Sequence, residues 1–299
     1  MLEAGLLLSR FLHFTATLSL FGVSLFPLYA LGRAGAWGGN EQRLLRRIKW
    51  IPIVGALTAI ASGVGWFVFT AASMTGDLSL ALNRESLYAI LQGTDFGPLW
   101  IVRLLLVCAA LLTVPWWPRR TAIWTAAIGS SLSLALLAGT GHARATQGWA
   151  GSHMAADSLH LLAAGLWLGA LLPLAIALRT FSSPKRKSDV LKAFSRIGQI
   201  AVGLLFATGI ANSFFLLTSP LDLIATSYGK VLSVKLMLFA LMLGLAALNR
   251  FWITPRVPER DSALWTRRLG ISIAIEQALG LLLLLAVAVL GAMEPPGAG

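Results

Sequence analysis

Four histidines are the side chains in this 299-residue sequence best suited to metal chemistry: His13, His142, His153 and His160. A neutral imidazole offers a nitrogen lone pair near physiological pH, and that donor suits copper and haem iron. His153, Asp157 and His160 stand at spacing i, i+4, i+7, which places them on one face if a single helix carries all three. Met74, Met154 and Met293 add thioethers that suit Cu(I). The only cysteine, Cys108, can form neither an intrachain disulfide nor a thiolate cluster. Any metal site therefore draws on His, Met, carboxylate or backbone. Arg103, Lys235 and Glu276 lie inside apolar stretches, where a charge is expensive and suggests function. Each residue also has a plainer reading. A histidine inside a membrane can bond a neighbouring helix, one in a loop can simply be solvated, and Asp157 can cap a helix. Arg103 and Lys235 can snorkel to the headgroups, or face an inner cavity and hold an acidic ligand or a haem propionate. Glu276 can pair with a cation, relay a proton or receive a metal ion.

The elements that position these groups must be membrane helices. Apolar residues make up 57% of the chain and charged residues 12%, against about 45–50% and about 25% in soluble domains. The mean hydropathy is +0.77. These values exclude a soluble enzyme, a disordered chain and a fibrous protein. Eight stretches are long and apolar enough to span: approximately 5–31, 47–73, 98–117, 121–141, 157–179, 196–217, 229–249 and 268–291. None alternates like a barrel strand. Met1-Leu2-Glu3-Ala4 lacks a basic leader region, so the first span is expected to be retained. Of the 24 Lys and Arg, 18 fall in or beside the odd loops and 6 on the opposite side. That bias makes the odd loops cytoplasmic and places both termini in the periplasm. It also disposes of nucleic acid as the reason for the net charge of +12, because the cations are scattered over four short loops.

The chain also repeats itself. Leu12-His13 precedes Gly22 and Pro27, and Leu159-His160 precedes Gly169 and Pro173; the His-to-Gly distance is nine residues in both. Ser62-Gly63-Val64 resembles Thr208-Gly209-Ile210. Thr94-Asp95-Phe96-Gly97 leads to Arg103, as Thr226-Ser227-Tyr228-Gly229 leads to Lys235 at the same spacing. The expected architecture is a single all-α, polytopic membrane domain over residues 1–299. It holds two parallel four-helix repeats, about 1–145 and 146–299, related by an axis along the membrane normal. Such an axis sets His13 and His160 at equal depth near the outer face, and likewise pairs Arg103 with Lys235.

Several of these motifs resemble the CopD (PcoD) family of copper-resistance membrane proteins. They are Leu12-His13, Gly141-His142-Ala143, Asp157-Ser158-Leu159-His160 with Trp167 and Gly169, and Thr226-x-Tyr228-Gly229 running through Lys235 to Asn249-Arg250. Glu276-x-x-x-Gly280 near the end fits as well. The resemblance covers essentially the whole chain. It implies a bacterial inner-membrane protein that moves copper inward alongside a separate CopC-like periplasmic protein. The positions it matches are His13, His142, Asp157 and His160; His153 rests on helical spacing alone. Two functions follow as expectations. In the first, copper binds at an outer site of His13, His142, His153, Asp157 and His160 and passes toward Glu276. In the second, the protein is a b-type haem carrier of electrons with His13 and His160 as axial ligands and Arg103 and Lys235 on the propionates. Membrane lipid surrounds the chain in either case.

Overall fold

The computed structural model describes residues 1–32, 37–94, 96–141, 143, 148–257 and 262–298. Among the described residues the regular structure is helical, with no strand. Eight helices among the described residues are long and apolar enough to cross a membrane. In chain order the helices are α1 (Leu2–Ala30), α2 (Gly39–Ile48), α3 (Trp50–Thr75), α4 (Leu78–Ala81), α5 (Arg84–Gly93) and α6 (Phe96–Thr113). Then follow α7 (Arg120–Ala135), α8 (Ala150–Thr180), α9 (Pro184–Leu216), α10 (Asp222–Ala225), α11 (Ser227–Leu248) and α12 (Ser262–Leu290). A π-helical turn, Asn249–Ile253, extends α11.

Each expected span coincides with one of the long helices, but several helices outrun it. α8 begins at Ala150 and α9 at Pro184, ahead of the apolar windows. Hydropathy detects only the stretch that needs lipid, whereas the helix continues wherever its start is capped and a face is covered. At the start of α9, Ser183 Oγ accepts from Arg186 N at 3.4 Å, Pro184 fits the first turn, and Val190 and Leu191 are buried. The early start of α8 puts His153, Asp157 and His160 on one continuous helix.

α1 and α8 form the centre. α1 packs on α3, α7, α8 and α12, and α8 packs on α9 and α12 as well. The two cross where glycines let the backbones meet. A Cβ on Gly22 would enter the backbone of Gly165 and Gly169, and one on Gly169 would enter Leu18 O and Gly22 Cα. Close approach of this kind is how helices associate in lipid, where the solvent is as apolar as leucine and dispersion does the work. The glycines that follow His13 and His160 by nine residues thus touch each other. Around this axis α6 packs on α7 and α11 on α12. The cation-rich segments that follow α1 and α8 meet. There Arg186 Nε donates to Glu41 Oε1 at 2.9 Å, its Nη2 donates to Leu31 O at 3.0 Å, and Arg47 Nη1 donates to Thr180 Oγ1 at 3.1 Å.

Replacing Gly22 with valine is expected to cost about 1–3 kcal/mol through overpacking, seen as a lower unfolding temperature in detergent. Gly203→Ala, where nothing lies within 4 Å, should melt like the parent. Equal melting of both variants would contradict the crossing as described.

Candidate functional site

The two intramembrane histidines are held by the same device. His13 Nδ1 lies 2.9 Å from Ala59 O and 3.3 Å from Ser62 Oγ. A carbonyl can only accept, so Nδ1 carries the proton and Nε2 keeps its lone pair. His160 Nδ1 lies 2.9 Å from Thr208 Oγ1. The threonine hydroxyl spends its own proton on Leu204 O at 2.5 Å, so it accepts from His160 Nδ1–H, and Nε2 again holds the lone pair. The glycine after Ser62 makes room for the His13 ring, whereas the one after Thr208 is at ordinary contact distance from the His160 ring. A Cβ on Gly63 would stand 3.2 Å from His13 Cε1, and one on Gly209 would stand 3.8 Å from His160 Cε1. The hydroxyl residues of the Ser-Gly and Thr-Gly doublets are therefore ring holders, a role that their sequence spacing did not disclose.

What faces Nε2 differs. In the first half Arg103 Nη2 donates to His13 Nε2 at 2.5 Å. Both residues are only 2% exposed. The guanidinium also reaches Thr140 Oγ1 at 3.5 Å and lies over the Trp66 ring. Trp100 Nε1 donates to Gly63 O at 2.9 Å and closes α6 onto α3. Both ring nitrogens of His13 are thus engaged.

In the second half, Nε2 of His160 has no hydrogen-bond partner among the described residues, and the ring lines a cavity of about 760 Å³. His153, Asp157, Asn212, Tyr228 and Lys235 line the same cavity, which is otherwise walled mostly by Leu, Phe and Trp. Asn212 Nδ2 donates to Asp157 Oδ1 at 3.4 Å. The Lys235 charge acts on both Asp157 and His160, without an ion pair within 4.0 Å among the described residues. His153 is buried and stacks on Phe215, with ring centroids 4.6 Å apart.

Counting from the two histidines explains the contrast. Arg10 stands three residues before His13, where Asp157 stands before His160. Trp66 follows Ser62 by four, where Asn212 follows Thr208 by four. The first half thus carries a cation and a large ring where the second carries an acid and a small amide. A shared spacing of nine residues from Thr94 and Thr226 pairs Arg103 with Lys235, and only the arginine reaches its histidine. Both Thr-x-x-Gly turns are built alike. Thr94 and Thr226 hydroxyls donate to the carbonyls four residues earlier, Ile90 and Asp222. A Cβ on Gly97 or Gly229 would strike the preceding short helix. That turn delivers Tyr228 to the cavity wall.

Glu276 is separate from this group. It is 2% exposed and accepts from Asn249 Nδ2 in the π-helical turn, and the Trp167 indole lies beside it. Trp167 also lines the cavity, so it stands between Glu276 and the outer group. Among the described residues no cation pairs with Glu276, and no three His, Cys, Asp or Glu side chains converge closely enough to hold a metal ion by themselves. The structure thus brings together His153, Asp157, His160 and Lys235 around one cavity, and keeps His13 with Arg103 apart from it. His142 lies outside the described residues. Arg10 also lines the cavity; its only sequence signal was a lone cation within the first span.

Family models of "Copper resistance protein D-like, N-terminal domain" and "Copper resistance protein D" match residues 1–152 and 188–290. This chain belongs to the copper resistance protein D family. It is 30% identical to Copper resistance protein D of Pseudomonas syringae pv. tomato, over 96% of this chain and 95% of that one. It is 28% identical to Inner membrane protein YebZ of Escherichia coli (strain K12), over 96% and 97%. Copper transport protein CutJ of Bacillus subtilis (strain 168) is also 28% identical, over 99% of this chain, which spans 54% of CutJ. No solved structure matches.

Diethylpyrocarbonate on the detergent-purified protein is expected to modify His160 and leave His13 untouched, as mapped by mass spectrometry. Modification of His13 at the rate of His160 would contradict the closed first half.

Proposed function

We propose that this protein is a copper-handling protein of the bacterial inner membrane that takes copper at the His160–Asp157 wall of the cavity and passes it inward. The observation that carries this reading is the His160 ring. It is oriented by Thr208, its Nε2 is open to the cavity, and a carboxylate lies one turn away. A fixed tautomer with a free lone pair is the state in which imidazole binds metal. Imidazole with carboxylate suits divalent copper, and two protein donors leave positions for ligands that the delivering molecule brings. Copper would then pass from carrier to wall by ligand exchange, with no bare ion in the greasy interior. A CopC-like periplasmic protein is the natural donor. Lys235 balances Asp157 while the site is empty and yields to an incoming cation.

In this reading the halves, about 1–145 and 146–299, are parallel repeats with both termini outside. The second half works on copper and the first is structural. The glycine pair at the α1–α8 crossing and the matched ring holders support the repeat. His153 stands near the outer mouth as a first contact, and Glu276, beyond Trp167, is the inward acceptor or proton relay. The haem alternative needs an open nitrogen on both His13 and His160, and Arg103 occupies His13.

Isothermal titration of the detergent-purified protein with copper tests the site. His160→Ala is expected to abolish binding. Thr208→Val, which removes only the ring holder, should weaken it roughly 10–100-fold. Ser62→Ala should leave it unchanged. Binding that survives His160→Ala, or that falls with Ser62→Ala alone, overturns the assignment. Glu276→Gln is expected to keep outer binding and lower copper uptake into vesicles.

A further inference from the structure

The cavity is far larger than a copper ion requires, and its polar groups sit against one wall. A volume of about 760 Å³ with mostly apolar lining is the size and character of a site for an organic molecule. Two of its lining groups are cations that share a single described acid, Asp157. Arg10 and Lys235 form no ion pair within 4.0 Å among the described residues, and Arg10 Nε is buried with no hydrogen-bond partner. Among the described residues Asp157 is the only acid that lines the cavity, so their charge there is unbalanced by one cation. Arg103 adds a second, buried behind the Trp66 ring over which Arg10 also lies, 5.2 Å from its centroid.

The cavity also has a side door. In the first half α3 and α6 pack together, whereas their counterparts α9 and α11 make at most slight contact. The lips of that gap are Phe206, Ile210 and Phe214 on α9 and Leu236 on α11. All four line the cavity, yet they are 62%, 46%, 81% and 43% exposed. Side chains of this kind at the flank of a membrane bundle face acyl chains.

We propose that the cavity is a binding site for an anionic membrane lipid, which enters between α9 and α11 and sets its phosphate on Arg10 and Lys235. The arginine fork and the lysine point charge are the usual partners of phosphate oxygens. The acyl chains fill the apolar wall and cover the gap that α9 and α11 leave. This site shares Lys235 with the copper reading but needs neither His160 nor Asp157 as a ligand. If both hold, the lipid closes the copper wall sideways against the bilayer.

The test uses the full-length protein in nanodiscs without copper. Phosphatidylglycerol bearing a photoreactive acyl chain is compared with phosphatidylcholine bearing the same chain, and the crosslinked peptides are mapped by mass spectrometry. Phosphatidylglycerol is expected to label α9 and α11 at the lips, and phosphatidylcholine to label the outer surface evenly. Arg10→Gln combined with Lys235→Met should reduce lip labelling to the phosphatidylcholine level, while Lys230→Gln, on the exposed surface, should not change it. Even labelling by both lipids, or lip labelling that survives the double variant, overturns the proposal. If inorganic phosphate binds at these cations and no lipid labels the lips, the site belongs to a free anion and the lipid assignment fails. Because copper is absent throughout, failure here leaves the copper titration untouched, and failure of that titration leaves this result standing.

Discussion

The close crossing of α1 and α8 is the contact on which the rest depends. Water supplies no drive for helices to associate within lipid, so contact must come from backbone approach and dispersion. Gly22, Gly165 and Gly169 permit that approach, and His13 and His160 ride on the same two helices. Once the helices are locked there, each histidine faces the helix that follows in its own half. His13 meets α3 and His160 meets α9, and each finds a hydroxyl with a glycine beside it.

A second constraint then separates the halves. A charge inside a bilayer needs compensation or a wet space. Arg103 has no carboxylate partner among the described residues and is satisfied by His13 Nε2, Thr140 and the face of Trp66. Those contacts, with Trp100 closing α6 onto α3, fill the interior of the first half. Lys235 has a shorter reach and no fork, and the position that matches Trp66 carries the small Asn212. The second half is left open around an acid, an amide and an imidazole. Two arrangements that match in position therefore differ in chemistry, and the difference rests on three substitutions of size and charge.

Much of the site was legible in advance. The spacing of His153, Asp157 and His160 placed them on one face, and α8 starts early enough to realise it. The default suspicion attached to charges within spans picked out Arg103, Lys235 and Glu276, all of which prove to be set inside the bundle. Thr208 and Ser62 were seen only as parts of a repeat, because a hydroxyl beside a glycine has many uses and the ring it holds lies 48 or 49 residues away. Arg10 was only one of the six outer-side cations until the fold set it on the cavity wall.

Composition and pattern by themselves determined that this is an eight-span helical membrane protein of the copper resistance protein D family, because the length of an apolar run and the order of its motifs are linear properties. They also ranked the polar residues by how much their burial would cost. Only the tertiary structure decided which histidine is free. His13 and His160 carry the same local signals, and both were read as ligands of one site. Whether a ring nitrogen is open depends on which side chain from a distant helix reaches it, and that is set by packing in three dimensions. Arg103 reaches and Lys235 does not.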